Sequence, residues 1–268
     1  MSRWQNRWAV ITGASAGIGQ ALGEQLAARG AKLVLTARRL DRLAQLARQL
    51  RSEHSATVEI YPLDLSKPGA PAELFAFTHG KGIEVDLLIN NAGFGAYGEF
   101  HQGSLDWLRD MVQVNVSAVV DLTHRYLAGM VERRRGDIMI VSSVAAFQPV
   151  PYIACYAATK GFDLLFSEAL AEEVRRYGVR VLALCPGSTD TEFMSVAKQP
   201  ARMFRFAESA DKVARTGLDA LEAGRTYVIS GWWNYFQTQA QRLVPRPFVA
   251  RSAAALLSPR ESDAPDPR

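Results

Sequence analysis

The 268-residue chain has only two cysteines, Cys155 and Cys185. Their number and spacing exclude a disulfide framework and a cysteine-based metal or redox motif. No run of about 18 uncharged apolar residues occurs, so no transmembrane helix is expected. The opening Met1-Ser2-Arg3-Trp4-Gln5-Asn6-Arg7 lacks an apolar signal core, and a reducing, cytoplasmic setting is expected. A strong charge of one sign is also missing, the formal net charge being +4. The arginines gather at 38–51, 132–135, 175–180 and 242–260, where they read as solvated helix faces. With no helix-turn-helix signal and no aromatic RNA-binding pattern, no nucleic-acid partner is expected.

What the chain does carry is an alternation of short apolar runs and amphipathic stretches. Strands are expected at 7–12, 32–36, 57–63, 85–90, 137–142, 179–185 and 227–230. Helices are expected at 18–29, 40–55, 71–78, 105–134, 156–176 and 209–222. This order predicts a Rossmann-like, doubly wound α/β fold: a seven-stranded parallel sheet with helices on both faces. Its length suits one domain with an ample core. Ligands bind such sheets beyond the carboxyl ends of the strands. Gly13, Asn90, Ser143 and Pro186 all fall at those ends.

The first strand runs into Gly13-Ala14-Ser15-Ala16-Gly17-Ile18-Gly19 and then a helix. Gly13 permits a tight turn, Gly17 lets the backbone approach a pyrophosphate, and Gly19 allows close helix–strand packing. Ser15, Ala16 and Ile18 complete the expected cofactor loop. The second strand ends in Ala37-Arg38-Arg39, with no acidic residue before Asp41. An acid there would hold the ribose hydroxyls of NAD, whereas arginine suits a 2′-phosphate, so NADP(H) is expected over NAD(H). Asp64, after the third strand, is a candidate partner for the adenine amino group.

Tyr156 and Lys160 lie four residues apart, and Ser143 lies thirteen before the tyrosine. On a helix, i and i+4 share a face, so the Lys160 ammonium can approach the Tyr156 phenol. Lowering a phenol from its ordinary pKa of about 10 to about 7 needs roughly 4 kcal/mol. A cation at about 4–5 Å in an effective dielectric near 20 supplies energy of that order. Such a tyrosine can pass a proton to or from a carbonyl or alcohol oxygen.

Taken together, Thr12-Gly13-x-x-x-Gly17-x-Gly19, Asp64-Leu65, Asn90-Asn91-Ala92-Gly93, Asn115, Ser143, Tyr156-x-x-x-Lys160 and Pro186-Gly187 resemble the short-chain dehydrogenase/reductase family, common single-domain type. They occur in family order across roughly residues 7 to 191. One small departure is Ala146, where the family often has glycine. The resemblance implies a tetrad of Asn115, Ser143, Tyr156 and Lys160. Tyr156 would be the general acid in reduction and the base in oxidation. Ser143 would hold the substrate oxygen. Lys160 would lower the tyrosine pKa and bind the nicotinamide ribose, and Asn115 would anchor a water joining Lys160 to solvent. Leu65, Asn91, Ala92, Gly93, Pro186, Gly187, Thr189 and Thr191 would border the cofactor, with Tyr156 and Lys160. The implied activity is NADP(H)-dependent interconversion of a carbonyl and a secondary alcohol. A 3-oxoacyl thioester reductase shares the same motifs, and a non-catalytic NADP(H) sensor or scaffold is the alternative from another class. A homodimer or homotetramer, built on the long fourth and fifth helices, is implied as well.

The catalytic domain is expected over 1–230, with a substrate lid at about 188–208 that is rich in Phe and Met. Phe193 and Met194 from that lid, with Phe94, Phe147 and Tyr152, are expected beside Ser143 in the substrate pocket, with Tyr97 as a further wall. Met203, Phe204 and Phe206 continue the apolar lid, which suits an apolar substrate. The stretch 231–257 is an aromatic and basic extension containing Trp232, Trp233, Tyr235 and Phe236. It is expected to close the pocket or pack on a neighbouring subunit. A second reading lays it on an anionic membrane surface as a peripheral contact. Residues 258–268 are polar and proline-rich and are expected to be disordered.

Overall fold

The computed structural model describes residues 2–197 and 207–259. The chain begins β1 (Trp8–Thr12), α1 (Gly17–Ala28), β2 (Lys32–Ala37), α2 (Leu40–His54), β3 (Val58–Pro62) and α3 (Ala70–Gly80). It continues β4 (Val85–Asn90), α4 (Leu105–Val112), α5 (Ala118–Glu132), β5 (Gly136–Val141), α6 (Ala154–Val174) and β6 (Val179–Cys185). Two short strands, β7 (Thr189–Asp190) and β8 (Glu208–Ser209), flank α7 (Phe193–Val196). Then come α8 (Ala210–Glu222), β9 (Tyr227–Ile229), α9 (Trp232–Ala240) and α10 (Arg246–Leu257).

Seven strands form one sheet in the order β3-β2-β1-β4-β5-β6-β9, every pair parallel. A parallel sheet covered on both faces must be apolar on both, and every residue of β4 and β5 is buried. Successive side chains alternate between the faces. Ile11, Leu35, Ile89 and Leu184 pack with Leu22 and Leu26 of α1, Leu43 and Leu50 of α2 and Leu218 of α8. Val10, Val34, Leu88 and Ile140 pack on the other side with Leu74 of α3, Leu122 of α5 and Leu170 of α6. Fully burying each such leucine contributes about 1.5–3 kcal/mol.

The chain order reverses direction between β1 and β4, which opens a crevice at their carboxyl ends. At the opposite end of the sheet, Asp137 accepts hydrogen bonds from the Arg3 guanidinium at 2.7 and 2.9 Å and from the Trp4 indole at 2.9 Å. The N-terminal segment is thus pinned away from the crevice.

The single helix expected over 105–134 is interrupted. A π turn at Gln113–Ser117 separates α4 from α5. The side chain of Asn115, inside that turn, is held by bonds to distant residues, and such wide turns gather at functional positions. Ser104 caps α4, its hydroxyl accepting from Trp107 N.

The connection after β6 is tied at its base, because β7 and β8 pair in parallel through Thr189↔Glu208 and Asp190↔Ser209. Past β9, the aromatic stretch forms α9, whose Trp232, Trp233, Tyr235 and Phe236 are exposed. Among the described residues, no helix is long and apolar enough to cross a membrane.

Candidate active site

A cleft of about 630 Å³ opens at the crevice. Thr12 and Asn91 fasten β1 to β4 beneath it. The Thr12 hydroxyl accepts from Asn91 N at 3.0 Å and Ala92 N at 2.9 Å. The Asn91 amide in turn donates to Thr12 O at 2.9 Å and Gly13 O at 3.2 Å. Gly17 opens α1 with φ +56°, and a Cβ there would meet the Thr191 methyl at 2.8 Å. Gly19 has no room for a Cβ between the Asn91 amide and the Gly13 carbonyl. The result is a tight turn, bare of side chains at Gly13, Gly17 and Gly19, at the N-terminus of a 12-residue helix, which favours an anion.

Gly13, Ser15, Ala16, Gly17, Ile18, Arg38, Arg39, Asp64 and Leu65 line one end of the cleft. Asp64 is fixed at the end of β3 by Ser66 N, which donates to its carboxylate at 3.0 Å. Arg39 reaches across the mouth: it donates to the Ser15 hydroxyl at 3.2 Å and pairs with Glu192 at 2.8 Å. Arg42 also approaches Glu192, at 3.5 Å. Sequence reasoning misses Glu192; it borders Thr191 in the chain, but nothing local marks it as a partner of arginines so far upstream. Asn91, Ala92, Gly93, Pro186, Gly187, Thr189 and Thr191 line the middle and far end. Arginines beside a glycine turn, with amides and hydroxyls along the groove, fit a dinucleotide.

At the far end β5 delivers Ser143 and α6 delivers Tyr156. Ser143 Oγ accepts from Ala145 N at 3.1 Å, and Ser143 and Tyr156 line the cleft together. Tyr156 lies in the first turn of the 21-residue α6. The Lys160 ammonium is 5.9 Å from the Tyr156 ring centre. It donates to the Val141 carbonyl at 2.7 Å and to the Asp163 carboxylate at 3.0 Å. Asn115 is fully buried and stands behind the cleft wall. Its amide exchanges hydrogen bonds with the Phe94 backbone at 3.0 and 3.2 Å and donates to Thr159 Oγ at 3.1 Å. Thr159 then donates to Tyr156 O at 2.7 Å. Asn115 therefore braces the loop after β4 against the helix carrying Tyr156 and Lys160.

Lys160 pulls the Tyr156 pKa down, as expected, but the net direction is upward. Burial of the phenol, the largest influence, outweighs the pull of Lys160 and the Ser143 hydrogen bond and holds Tyr156 above its ordinary range. Burial also opposes the Lys160 charge, but the Asp163 carboxylate overcomes it and keeps the ammonium above its ordinary value.

Among the expected pocket residues, Phe94 and Phe193 line the cleft. The Phe193 ring lies 5.3 Å from that of Tyr156, and Phe94 meets Trp107 edge-on at 4.7 Å. Tyr97, Phe147 and Tyr152 require correction. A 3-10 turn over Val144–Phe147 sends Phe147 to the back of the wall, near Leu164, Cys185 and Ile229 and 6.3 Å from the Tyr227 ring. Tyr152 adopts a left-handed conformation, φ +65°, and faces a separate cavity with Tyr97, Phe100 and Cys155. Val150, Ile153 and Leu257 take their place in the cleft. The side chain of Met194, and all of Met203, Phe204 and Phe206, lie outside the described residues. Leu257 ends α10 and is held there by its carbonyl, which accepts from the Tyr97 hydroxyl at 2.7 Å. Its place in the wall, far past Tyr156 in the chain, carries no local sequence signal. Among the described residues, no cluster of His, Cys, Asp and Glu could hold a metal ion.

A family model described as short chain dehydrogenase matches residues 7–201. Hydroxysteroid dehydrogenase-like protein 1 of Gallus gallus is 33% identical over 231 residues, 85% of this chain and 69% of that protein. Very-long-chain 3-oxoacyl-CoA reductase of Mus musculus is 33% identical over 195 residues, 71% of this chain and 62% of that protein. A short-chain dehydrogenase from Sphingobium yanoikuyae, solved in complex with NADPH, superposes with a TM-score of 0.80 at 28% identity, covering 98% of this chain and 99% of the other.

Proposed function

The chain belongs to the short chain dehydrogenase family, and from that premise we propose that it is an NADP(H)-dependent oxidoreductase working on a small apolar molecule through Tyr156. Family membership makes the protein an oxidoreductase of alcohol and carbonyl groups with a nicotinamide cofactor. The observation that carries the finer reading is the convergence of Ser143, Tyr156 and Lys160 on one cleft, the Lys160 ammonium lying 5.9 Å from the Tyr156 ring centre.

When bound, the nicotinamide exchanges a hydride with the carbonyl carbon. The chain's residues do the rest. Ser143 holds the carbonyl oxygen by a hydrogen bond and orients it toward the phenol. Tyr156, kept protonated by its buried setting, donates its proton to that oxygen as the alcohol forms. In the reverse direction the tyrosinate takes the proton back, stabilised by Lys160 and by the N-terminal end of α6. Phe94, Trp107, Phe193, Val150, Ile153 and Leu257 exclude water around the reacting carbon. Arg38 and Arg39 bind the 2′-phosphate that distinguishes NADP(H), and the same cofactor appears in the structure of the Sphingobium relative. Asn115 serves as the brace between the loop after β4 and α6.

In this reading residues 1–230 are the catalytic unit, 188–208 the substrate lid and 231–257 an extension that closes the apolar end through Leu257. The likeness to a 3-oxoacyl-CoA reductase favours a 3-oxoacyl thioester as the second substrate class to examine. The test is oxidation of NADPH, with NADH in parallel, across bulky apolar ketones, aldehydes, steroid-type ketones and 3-oxoacyl thioesters. Turnover with NADPH that falls by about 10²–10⁴-fold in Tyr156→Phe is expected. An unchanged rate in that variant removes Tyr156 from the chemistry. Tight NADPH binding without turnover in either direction favours a sensor.

A further inference from the structure

Lys160 does not stand alone. One turn further along α6, Asp163 is fully buried, and one of its carboxylate oxygens accepts from the Lys160 ammonium at 3.0 Å. Its other oxygen is buried with no hydrogen-bond partner among the described residues. Placing an anion inside a protein is costly unless it is paired and hydrogen-bonded, and this one is only half satisfied. A structural role alone gives little reason for such an arrangement, since an apolar side chain would fill the same site without a desolvated charge. What Asp163 does hold is the ammonium, drawn between its carboxylate and the Val141 carbonyl at 2.7 Å. The Lys160 backbone is fixed as well, its carbonyl accepting from the Ser142 hydroxyl at 2.8 Å.

Resting on the assignment of Tyr156 as acid and base, we propose that Asp163 is a positioning residue: it anchors Lys160 and offsets the attraction of that cation for a tyrosinate, biasing the site toward the phenol that reduction consumes. A neutral ion pair pulls on a nearby phenolate less than a lone cation does. The other groups facing the pair do not replace this effect. Tyr156 shares the helix. Cys185, at the end of β6, is pushed up to about 12 by burial and stays a neutral thiol near neutral pH. Glu168, further along α6, acts on Cys185 in the same raising direction. From β5 come only the Val141 carbonyl and, just beyond the strand, the Ser142 hydroxyl.

The sign follows from the charges. Removing the Asp163 charge leaves Lys160 unopposed, stabilises tyrosinate and lowers the Tyr156 pKa. The alkaline limb of reduction and the rising limb of alcohol oxidation then both move to lower pH.

The experiment compares wild type, D163N, D163E and Y156F. It measures the pH dependence of kcat/KM in both directions and, without cofactor, the tyrosinate ultraviolet titration with Y156F subtracted. D163N is expected to move both limbs and the titration down by about one pH unit. D163E, which keeps the charge, is expected to restore the wild-type limbs. An unshifted D163N titration, with Y156F inactive, overturns the role of Asp163 while leaving Tyr156 in place. An active Y156F overturns the underlying assignment instead. If D163N does not fold, D163S removes the same charge and carries the same comparison.

Discussion

Tyr156 keeps its proton because crowding around the phenol outweighs both the nearby cation and the Ser143 hydrogen bond. Its raised pKa predicts that reduction runs at full rate through neutral pH and fails only on the alkaline side, near or above the ordinary phenol value of about 10. Alcohol oxidation, which needs the tyrosinate, should climb over the same alkaline range. A pH–rate profile in each direction measures this, and a reductive limb near pH 7 would contradict it. At the other end of the cleft, Arg38→Ala should raise the Kd of NADPH by about 10–100-fold while changing that of NADH little. Equal losses for both cofactors, measured by fluorescence titration, would remove the 2′-phosphate from Arg38. Arg39 differs in that its guanidinium already pairs with Glu192.

Among the elements, the contact of α3 with α5 has a titration of its own. Tyr126 is 5% exposed, its hydroxyl lies 3.0 Å from that of Thr78, and burial pushes its pKa up to about 12. A folded-state pKa above the unfolded value of about 10 gives stability that is complete below pH 10 and lost as pH rises through 12. The difference between those two values corresponds to roughly 3 kcal/mol. Tyr126→Phe should therefore flatten the fall of Tm between pH 10 and 12, and an unchanged slope would exclude Tyr126 as its source. The strands are legible in the sequence because a sheet buried on both faces is written in apolar runs, as in Leu87-Leu88-Ile89 of β4 and Ile138-Met139-Ile140-Val141 of β5. The glycine turn and the Tyr156–Lys160 spacing are legible because each depends on residues close in sequence. The π turn is not: it accommodates Asn115, whose amide answers to Phe94 and Thr159, both far away along the chain. Phe147 and Tyr152 depart from expectation for a related reason. Proximity to Ser143 in sequence says nothing about which side of a wall a 3-10 turn or a left-handed residue will aim a ring. Nothing in the sequence analysis marks Asp163, whose burial and pairing with Lys160 emerge only in the fold.

For the whole molecule, the outer surfaces of the long helices remain apolar in places. Val112 is 41%, Val120 39% and Leu165 69% exposed, on α4, α5 and α6. Such residues suit burial against another copy of the chain. A homodimer or homotetramer is expected by light scattering, and Leu165→Glu should shift it toward monomer by placing a charge in the contact. A monomeric wild type would refute this assembly. The exposed aromatics of α9 offer a second surface, and sedimentation with anionic vesicles distinguishes a lipid contact there from a protein one.

The anchoring of Leu257 has a further consequence. The residues proposed for the chemistry all precede residue 191, whereas one wall of the cleft is supplied by the last turn of α10. On the proposed function, a change in that final turn would alter which molecules fit while leaving the sheet, the glycine loop and Tyr156 in place. On that reading the selection of a substrate and the reaction performed on it are written in separate stretches of the chain, so that the one could be edited without the other.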